Sequence, residues 1–395
     1  MQKRILFWSA SYAPVLGGVQ TIVSQLATGL QKRGYIVQVL TDRTPTTLPH
    51  FEIIENVPVL RYRFFHPVRS IGSLREALLA CYSIILFPVR FFQLWHFIRG
   101  FRPDVINVHF PGQQIWYIGL LQKWLIKNKW VISLHGHDIL RFFKTGENNG
   151  DVLRKGNLPL PERIKLNVLS RRLRHAYAVT ACSGYLLNMA GKIPGQKEFN
   201  GQVVYNGIDF LRFSGSKSRL IKSGYIIALG RLVHAKGFDM LVQAFARLPE
   251  TIQQQYLLVI AGTGPEKSTL ERLAIETGIR SRLRLYGRAS QLEVTSLLQH
   301  AALAVIPSRQ EPFGIALLEA MAAGCKVIAT NVGGMPEIAG HGNVLLCEPT
   351  TTALSAAMQN LLSDQMPILN PGNGTMNDIF TEETMLKKYE DIFLR

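Results

Sequence analysis

Two cations stand close together in Gly230-Arg231-x4-Lys236-Gly237. This loop follows the apolar run Tyr225–Leu229 and precedes a helical pattern that starts near Phe238. Arginine offers a planar fork and lysine a point charge, and at the carboxyl end of a strand the two suit a diphosphate. A second cluster follows the apolar run Leu303–Pro307, with Ser308, Glu311, Gly314, Glu319 and Gly324 in order. A helix beginning after Pro312 would present open backbone N–H groups at Phe313, Gly314 and Ile315, and with the helix dipole these make an anion site. Gly314 would let a phosphate come close to the backbone. Glu311 would sit at the helix mouth, and Glu319, about two turns on and roughly 80° around, would address different hydroxyl groups. Among the histidines, His135 follows the apolar run Trp130–Leu134, and His109, His137 and Asp138 also fall at predicted strand ends. His234 and His300 read as structural or exposed.

The elements that must position these groups are legible as short Ile- and Val-rich runs alternating with longer helical patterns. The first half offers Arg4–Trp8, Val37–Thr41, Val105–His109, Trp130–Leu134 and Ala178–Ala181. The second offers Gln202–Tyr205, Tyr225–Leu229, Tyr256–Ala261, Leu283–Tyr286, Leu303–Ile306 and Val327–Thr330. Fully apolar strands separated by helices predict parallel sheets covered on both faces, here two doubly wound α/β domains. In such sheets ligands bind beyond the carboxyl ends of the strands, so two facing domains predict a deep cleft between them. Residues 1–200 form the first expected domain and 201–380 the second, with an exposed loop around Phe213–Arg219. A C-terminal helix over 381–395, capped by Thr381 with Glu382 and Glu383 in its first turn, is expected to pack back on the first domain.

The chain has 395 residues and is 47% hydrophobic, enough for buried cores and too apolar for a disordered chain. Its net charge is +17. Residues 1–200 carry 26 Lys and Arg against 10 Asp and Glu, and residues 201–395 carry 18 against 17. The excess therefore lies in the first half and favours anionic partners such as phospholipid headgroups or lipid diphosphates. No nucleic-acid motif accompanies it. The four cysteines are widely spaced and contain no CxxC pair, which fits reduced thiols. The N-terminal apolar run is short and leads to a Gly-Gly turn without a cleavage signal, so it reads as a strand and the protein as cytoplasmic. Ala77–Phe92, broken by Pro88 and Arg90 and followed by Trp95 and Phe97, is too short for a transmembrane helix. It reads as a core-facing helix or as a membrane-interface helix on the inner face of the cytoplasmic membrane.

Taken together, these pieces resemble the retaining GT-B glycosyltransferases of family GT4. Besides Gly230-Arg231-x4-Lys236-Gly237 and Glu311-x7-Glu319, the matching parts are Gly17-Gly18-Val19, His135-Gly136-His137-Asp138 and Tyr205-Asn206-Gly207-Ile208-Asp209. Ala261-Gly262-Thr263-Gly264-Pro265 and Gly333-Gly334-Met335-Pro336-Glu337 complete the set. They occur in the family's order across nearly the whole chain. Thr263, where the family often has aspartate, and Lys326, where it often has proline, depart from the pattern outside the phosphate and glutamate motifs.

The resemblance implies two Rossmann-like domains, the first for an acceptor and the second for a nucleotide-diphosphate sugar such as a UDP- or GDP-sugar. Gly17 and Gly18 would pass close to the diphosphate, and Gly230 would end the strand before the cations. His135 would lie beside the donor sugar, and His109, His137 and Asp138 on the acceptor side. Arg231 and Lys236 would neutralise the leaving diphosphate, and Glu311 would hold hydroxyls of the transferred sugar. The amides of Phe313, Gly314 and Ile315 would hold phosphate, Glu319 the ribose, and the segment of Gly287 and Arg288 the base. The acceptor would be a glycan or a lipid-linked sugar of a cell-surface polysaccharide or glycolipid. Fixed positive groups aimed at developing negative charge can replace a metal. The sequence has no Asp-x-Asp pair, so neither a metal nor another cofactor is expected. Two other classes use similar features: a nucleotide-sugar 2-epimerase of the same fold, and a non-catalytic basic binding protein.

Overall fold

The computed structural model describes residues 2–15, 17–64, 74–112, 114–125, 128–145, 151–153, 158–193, 199–215, 218–222, 224–363 and 375–395. Side chains at 74–80, 83, 84, 144, 145, 151–153 and 375 are outside that description, as are residues 216–217 of the expected exposed loop. The chain divides into two compact units, Met1–Tyr205 with Met385–Arg395, and Asn206–Thr384.

The first unit holds strands β1 (Arg4–Ser9), β2 (Ile36–Asp42), β3 (Phe51–Ile54), β4 (Val57–Tyr62), β5 (Val105–His109), β6 (Lys129–Leu134), β7 (Phe143–Thr145), β8 (Asp151–Leu153), β9 (Ala178–Ala181) and β10 (Gly201–Val203). Its helices are α1 (Gly18–Lys32), α2 (Leu74–Phe101), α3 (Ile115–Trp124), α4 (His137–Leu140), α5 (Leu160–Arg174) and α6 (Gly184–Gly191). Eight strands form one sheet in the order β10-β9-β6-β5-β1-β2-β4-β3, and β7 and β8 pair separately. All neighbours in the large sheet run parallel except β3 with β4. Residues Ile5–Trp8, Val105–Val108 and Val131–Leu134 are buried, as central strands covered on both faces require.

The edge hairpin β3–β4 has no counterpart among the strands expected above. It alternates half-buried with exposed or buried positions, and its two-residue turn is Glu55-Asn56, both with positive φ (48° and 66°). That backbone fits a two-residue hairpin whose usual glycine is absent, so the usual turn signal is missing. The segment Ala77–Phe92 belongs to a single 28-residue helix, α2, with Pro88 inside it. Phe91, Leu94, Ile98 and Phe101 of α2 pack with Trp8, Val108, Tyr117 and Leu121 in one core cluster.

The second unit holds β11 (Tyr225–Leu229), β12 (Leu257–Ala261), β13 (Leu283–Gly287), β14 (Leu303–Ile306), β15 (Val327–Thr330) and β16 (Val344–Cys347), in the order β13-β12-β11-β14-β15-β16. All pairings are parallel. Its helices are α7 (Phe238–Ala246), α8 (Glu250–Gln255), α9 (Lys267–Glu276), α10 (Gln291–Gln299), α11 (Ile315–Ala322), α12 (Met335–Ala339), α13 (Thr351–Leu362) and α14 (Thr375–Ile379). Phe238, Leu241 and Phe245 of α7 sit in a core with Ile226, Leu258, Val305 and Met358. The last helix, α15 (Glu382–Leu394), starts at Thr381, whose hydroxyl accepts from Thr384 N at 3.0 Å. Met385 onward belongs to the first unit.

In each main sheet the direction of winding reverses beside the first strand, between β1 and β5 and between β11 and β14. Such a switch point leaves a crevice at the carboxyl ends of the two strands, because their loops diverge to opposite faces. Gly17 and Gly18 after β1, His109 at the end of β5, Gly230 to Lys236 after β11 and Glu311 after β14 lie at these two points. His135, His137 and Asp138 follow the neighbouring β6, while Gly287 ends the edge strand β13 and Arg288 follows it.

Candidate active site

In the second unit, β11 ends at Gly230 and β14 runs into Pro307-Ser308. Gly230 has φ 147°, Arg231 is exposed, and His234–Lys236 forms one 3-10 turn. Gly237 follows with φ 66°, and a Cβ built there would lie 2.0 Å from Pro307 O. Glycine thus lets the loop after β11 lie directly against the loop after β14. The amides of Arg309 and Gln310 then bond to Ala235 O, at 2.8 and 3.2 Å.

Within this frame Lys236 Nζ donates to Glu311 Oε2 at 2.5 Å, and Ser308 Oγ donates to the same oxygen at 3.3 Å. Glu311 is 6% exposed, so its charge is held by partners rather than by water. Its backbone is braced from a third loop. Gly334 N donates to Glu311 O at 3.0 Å, and a Cβ on Gly333 would fall 1.8 Å from that carbonyl.

The helix after this loop opens two residues later than the sequence reading has it, at Ile315. Gly314 takes φ 116° and caps it, while Phe313 is buried and packs near Phe380. Leu318 N bonds back to Gly314 O at 3.0 Å, so the amides of Ile315, Ala316 and Leu317 form the opening turn. Glu311 therefore precedes the helix, and the expected two-turn offset to Glu319 does not describe the pair. Glu319 is the fifth residue of α11, and Arg212 donates to its carboxylate at 2.6 Å. Burial nevertheless raises the Glu319 carboxyl above its ordinary value, against the pull of Arg212. Gly287 closes β13 with φ 83°, and Arg288 after it is exposed.

Two partnerships escaped the sequence reading. Arg309 clamps Asp239 with two bonds, 2.6 and 2.7 Å, and bonds His234 O at 3.0 Å. Burial would raise the Asp239 carboxyl, but the Arg309 fork outweighs it and holds the group below its ordinary value. The other is Arg212 with Glu319. Both arginines stood beside motif residues, yet no spacing rule links positions 70 and 107 apart.

In the first unit, β6 ends at Leu134 and His135 opens the turn into α4. His109, the last residue of β5, places Nδ1 2.9 Å from His135 Nε2, and its Nε2 lies 2.7 Å from Asn107 Oδ1. Asn107 Nδ2 donates to Ser133 Oγ at 2.8 Å and to Val131 O at 3.3 Å, and since a carbonyl only accepts, Oδ1 is the acceptor toward His109. His109 therefore carries its proton on Nε2, and neutral His135 donates from Nε2 to His109 Nδ1. Burial lowers His135 to about 4 and takes His109 well below its ordinary value, the latter helped by its neighbour imidazole. Both rings are neutral at pH 7.

Asp138 accepts from His135 N at 3.0 Å and Gly136 N at 2.7 Å, so its buried carboxylate shapes the turn that carries His135. Burial raises it to about 6, and those amides pull it back. His137 is exposed. Gly17 caps α1, which begins at Gly18 with no acidic residue in its first turn. The preceding loop is pinned by Arg61, a 1%-exposed cation that donates to Ala13 O at 2.6 Å and pairs with Glu52. This third anchor, the one buried arginine of the three, was also missed, since Arg61 lies in the unrecognised edge hairpin. Among the described residues no group of three or more His, Cys, Asp or Glu is arranged to hold a metal ion.

The family model described as Glycosyltransferase Family 4 matches residues 16–212, and that described as Glycosyl transferases group 1 matches residues 215–373. Glycogen synthase of Mycobacterium tuberculosis (strain ATCC 25618 / H37Rv) is 29% identical over 380 residues, covering 91% of this chain and 86% of the relative. Among solved structures, sucrose-phosphate synthase from Thermosynechococcus elongatus superposes with TM-score 0.76 at 19% identity, over 99% and 98% of the two chains. Anabaena HepE in complex with UDP-glucose superposes with TM-score 0.71 at 19% identity, over 98% of each. Two parallel α/β units wound as in GT-B structures, each matched by its own glycosyltransferase model, leave one assignment: the chain is a glycosyltransferase of family GT4, an enzyme that transfers sugar from a nucleotide sugar.

Proposed function

We propose that this transferase moves a hexose from a nucleoside-diphosphate sugar, without a metal and with retention of configuration, to a glycan or lipid-linked acceptor. The observation that carries this reading is the buried Glu311 carboxylate gripped by Lys236 beside the opening turn of α11. Arg231, an exposed cation on the same loop, and the α11 amides supply fixed positive potential for a leaving diphosphate. Lys236 neutralises the diphosphate, Glu311 orients sugar hydroxyls, and Glu319, held by Arg212, takes the ribose. Gly287 and Arg288 face the base, while Gly17 and Gly18 give the second approach to phosphate.

The C1–O bond to the diphosphate breaks, and the acceptor oxygen forms the new bond to C1 from the same face. The acceptor proton passes to the departing phosphate oxygen. Neutral His135, with its Nδ1 lone pair open, stabilises the sugar's developing positive charge, and Asp138 keeps the turn in place. His109 and His137 flank the acceptor. HepE binds UDP-glucose, so a UDP-sugar is the first donor to test. The basic first half suits an acceptor at an anionic membrane surface, with the enzyme peripheral on the inner face of the cytoplasmic membrane.

The deciding experiment is a thermal-shift panel of UDP-, GDP- and ADP-sugars in excess EDTA. At a hundred times its Kd the true donor adds about 2.7 kcal/mol. If no donor stabilises the protein until magnesium or manganese is supplied, the metal-free mechanism is wrong.

A further inference from the structure

We propose that the outer face of α2 and α3 is the surface by which this protein docks onto an anionic lipid bilayer. The inference rests on the membrane part of the proposed function and names the surface responsible for it.

Over its described side chains α2 carries apolar residues on two opposite sides, with the polar Arg90, Gln93, His96 and Arg99 among them. One stripe, Phe91, Leu94, Ile98 and Phe101, is buried in the core of the first unit. The opposite side carries Ile85, Val89 and Phe92 at i, i+4 and i+7, and these are 71%, 50% and 53% exposed. A water-facing helix surface at this spacing is ordinarily polar. α3 extends the patch with Leu120 and with Trp124, which is 56% exposed. The Trp124 ring meets Phe91, Phe92 and Trp95 edge-on at 5.8, 6.5 and 5.8 Å, so the two helices present one continuous aromatic surface. No helix among the described residues is long and apolar enough to cross a membrane. A surface of this kind lies along a bilayer, with its apolar side chains at the boundary between headgroups and acyl chains.

Charge selects the occupant. α5 packs beside α3, where Arg172 reaches Gln122 at 3.3 Å. Across α2, α3 and α5 the sequence holds nine Lys and Arg against two acidic residues. Arg99 lies over the Trp95 ring at 4.8 Å, and Arg171 and Arg174 are exposed. A second copy of this face would bring like charge onto like charge, whereas anionic headgroups offer the opposite sign and acyl chains take the apolar side chains. Tryptophan and phenylalanine flanked by arginine suit that boundary.

The test is co-sedimentation of the full chain with phosphatidylglycerol–phosphatidylcholine vesicles and with phosphatidylcholine vesicles alone. The wild type is expected to bind the first far better, with its tryptophan emission shifted to the blue. Phe92→Glu with Trp124→Glu should lower partitioning about tenfold or more at unchanged Tm, and Arg171→Ala with Arg174→Ala should weaken it and flatten its salt dependence. Should the glutamate variant unfold, Ile85→Ser with Val89→Ser, both at exposed positions, reads the same face.

Undiminished binding by the apolar-face variants overturns the proposal and leaves membrane attachment standing. Failure of the wild type to bind anionic vesicles overturns both, while the donor thermal shift still judges the transferase chemistry separately. A wild-type dimer that Phe92→Glu converts to monomer assigns the patch to a second copy and overturns the proposal as well.

Discussion

Between Asn107 and His135 a line of hydrogen bonds decides which ring nitrogen carries which proton, and burial decides that neither imidazole is charged. That has a consequence for stability. His135 in the folded chain is at about 4 against 6.5 for an ordinary histidine, so between those values the unfolded chain holds a proton that the folded chain lacks. Stability therefore falls as pH drops through this window, by about 3 kcal/mol for a shift of this size. Asp138, raised to about 6 from 3.8, works the other way, since the folded chain already holds its proton there. The two nearly cancel between about pH 4 and pH 6, and buried His109, also lowered, tips the balance toward acid lability. Replacing His109 by Gln should shrink the loss of Tm between pH 7 and pH 5, and an unchanged loss would show that His109 is not a source of it. At the other switch point, Lys236→Ala or Glu311→Gln should lower kcat by about 10²–10³-fold with the far-ultraviolet spectrum intact. Wild-type turnover in either variant would remove the pair from the mechanism.

Loops of the second unit depend on glycines for different reasons, and substitution can separate the α9–β13 connection at Gly278 from the site loop at Gly237. At Gly278, with φ 78°, an added Cβ meets nothing within 4 Å, so Gly278→Ala carries only the backbone penalty of about 1 kcal/mol. At Gly237, with φ 66°, the same Cβ lies 2.0 Å from Pro307 O, and the two loops must part. Gly237→Ala should then cost about 3 kcal/mol or more in denaturant unfolding and lower turnover too. Equal losses at the two positions would mean that the loop contact is slack. What the sequence discloses follows the same physics. Central strands such as Ile226–Leu229 are legible because burial on both faces demands an unbroken apolar run, and the motifs are legible because they follow directly from those strands. The β3–β4 hairpin is not, because an edge strand alternates and its turn uses Glu55-Asn56. Nor is the start of α11, since Gly314 reads equally as a first-turn residue or a left-handed cap. Arg309–Asp239 and Arg212–Glu319 are set by which loops the sheet order brings together, information that no local window contains.

For the whole molecule, chain order and structural order part company at the C-terminus. Residues Met385–Arg395 complete the first unit although the second unit precedes them in the chain. Tyr389 bonds Ser133 Oγ and Thr180 Oγ1, each at 3.2 Å, on β6 and β9. Phe393 packs on Phe7 of β1, Leu386 fills the space above Gly29 of α1, and Glu390 pairs with Arg33. Lys3 Nζ donates to Phe393 O at 3.2 Å. The segment is therefore part of the first unit's core, and through Ser133 it braces β6, the strand that leads into His135. Five of its side chains, Met385, Leu386, Tyr389, Ile392 and Phe393, are buried. Each full burial of such a group contributes about 1.5–3 kcal/mol, an upper figure given residual burial in the unfolded chain. Truncation after Thr384 should thus remove much of the first unit's stability and leave the second unit's nearly untouched. Two units of this kind need not melt together, so calorimetry can separate them. The truncated chain should lose or sharply lower one transition while the other, raised by the donor nucleotide, stays in place. Identical thermograms for the full and truncated chains would show that α15 rests on the first unit without stabilising it.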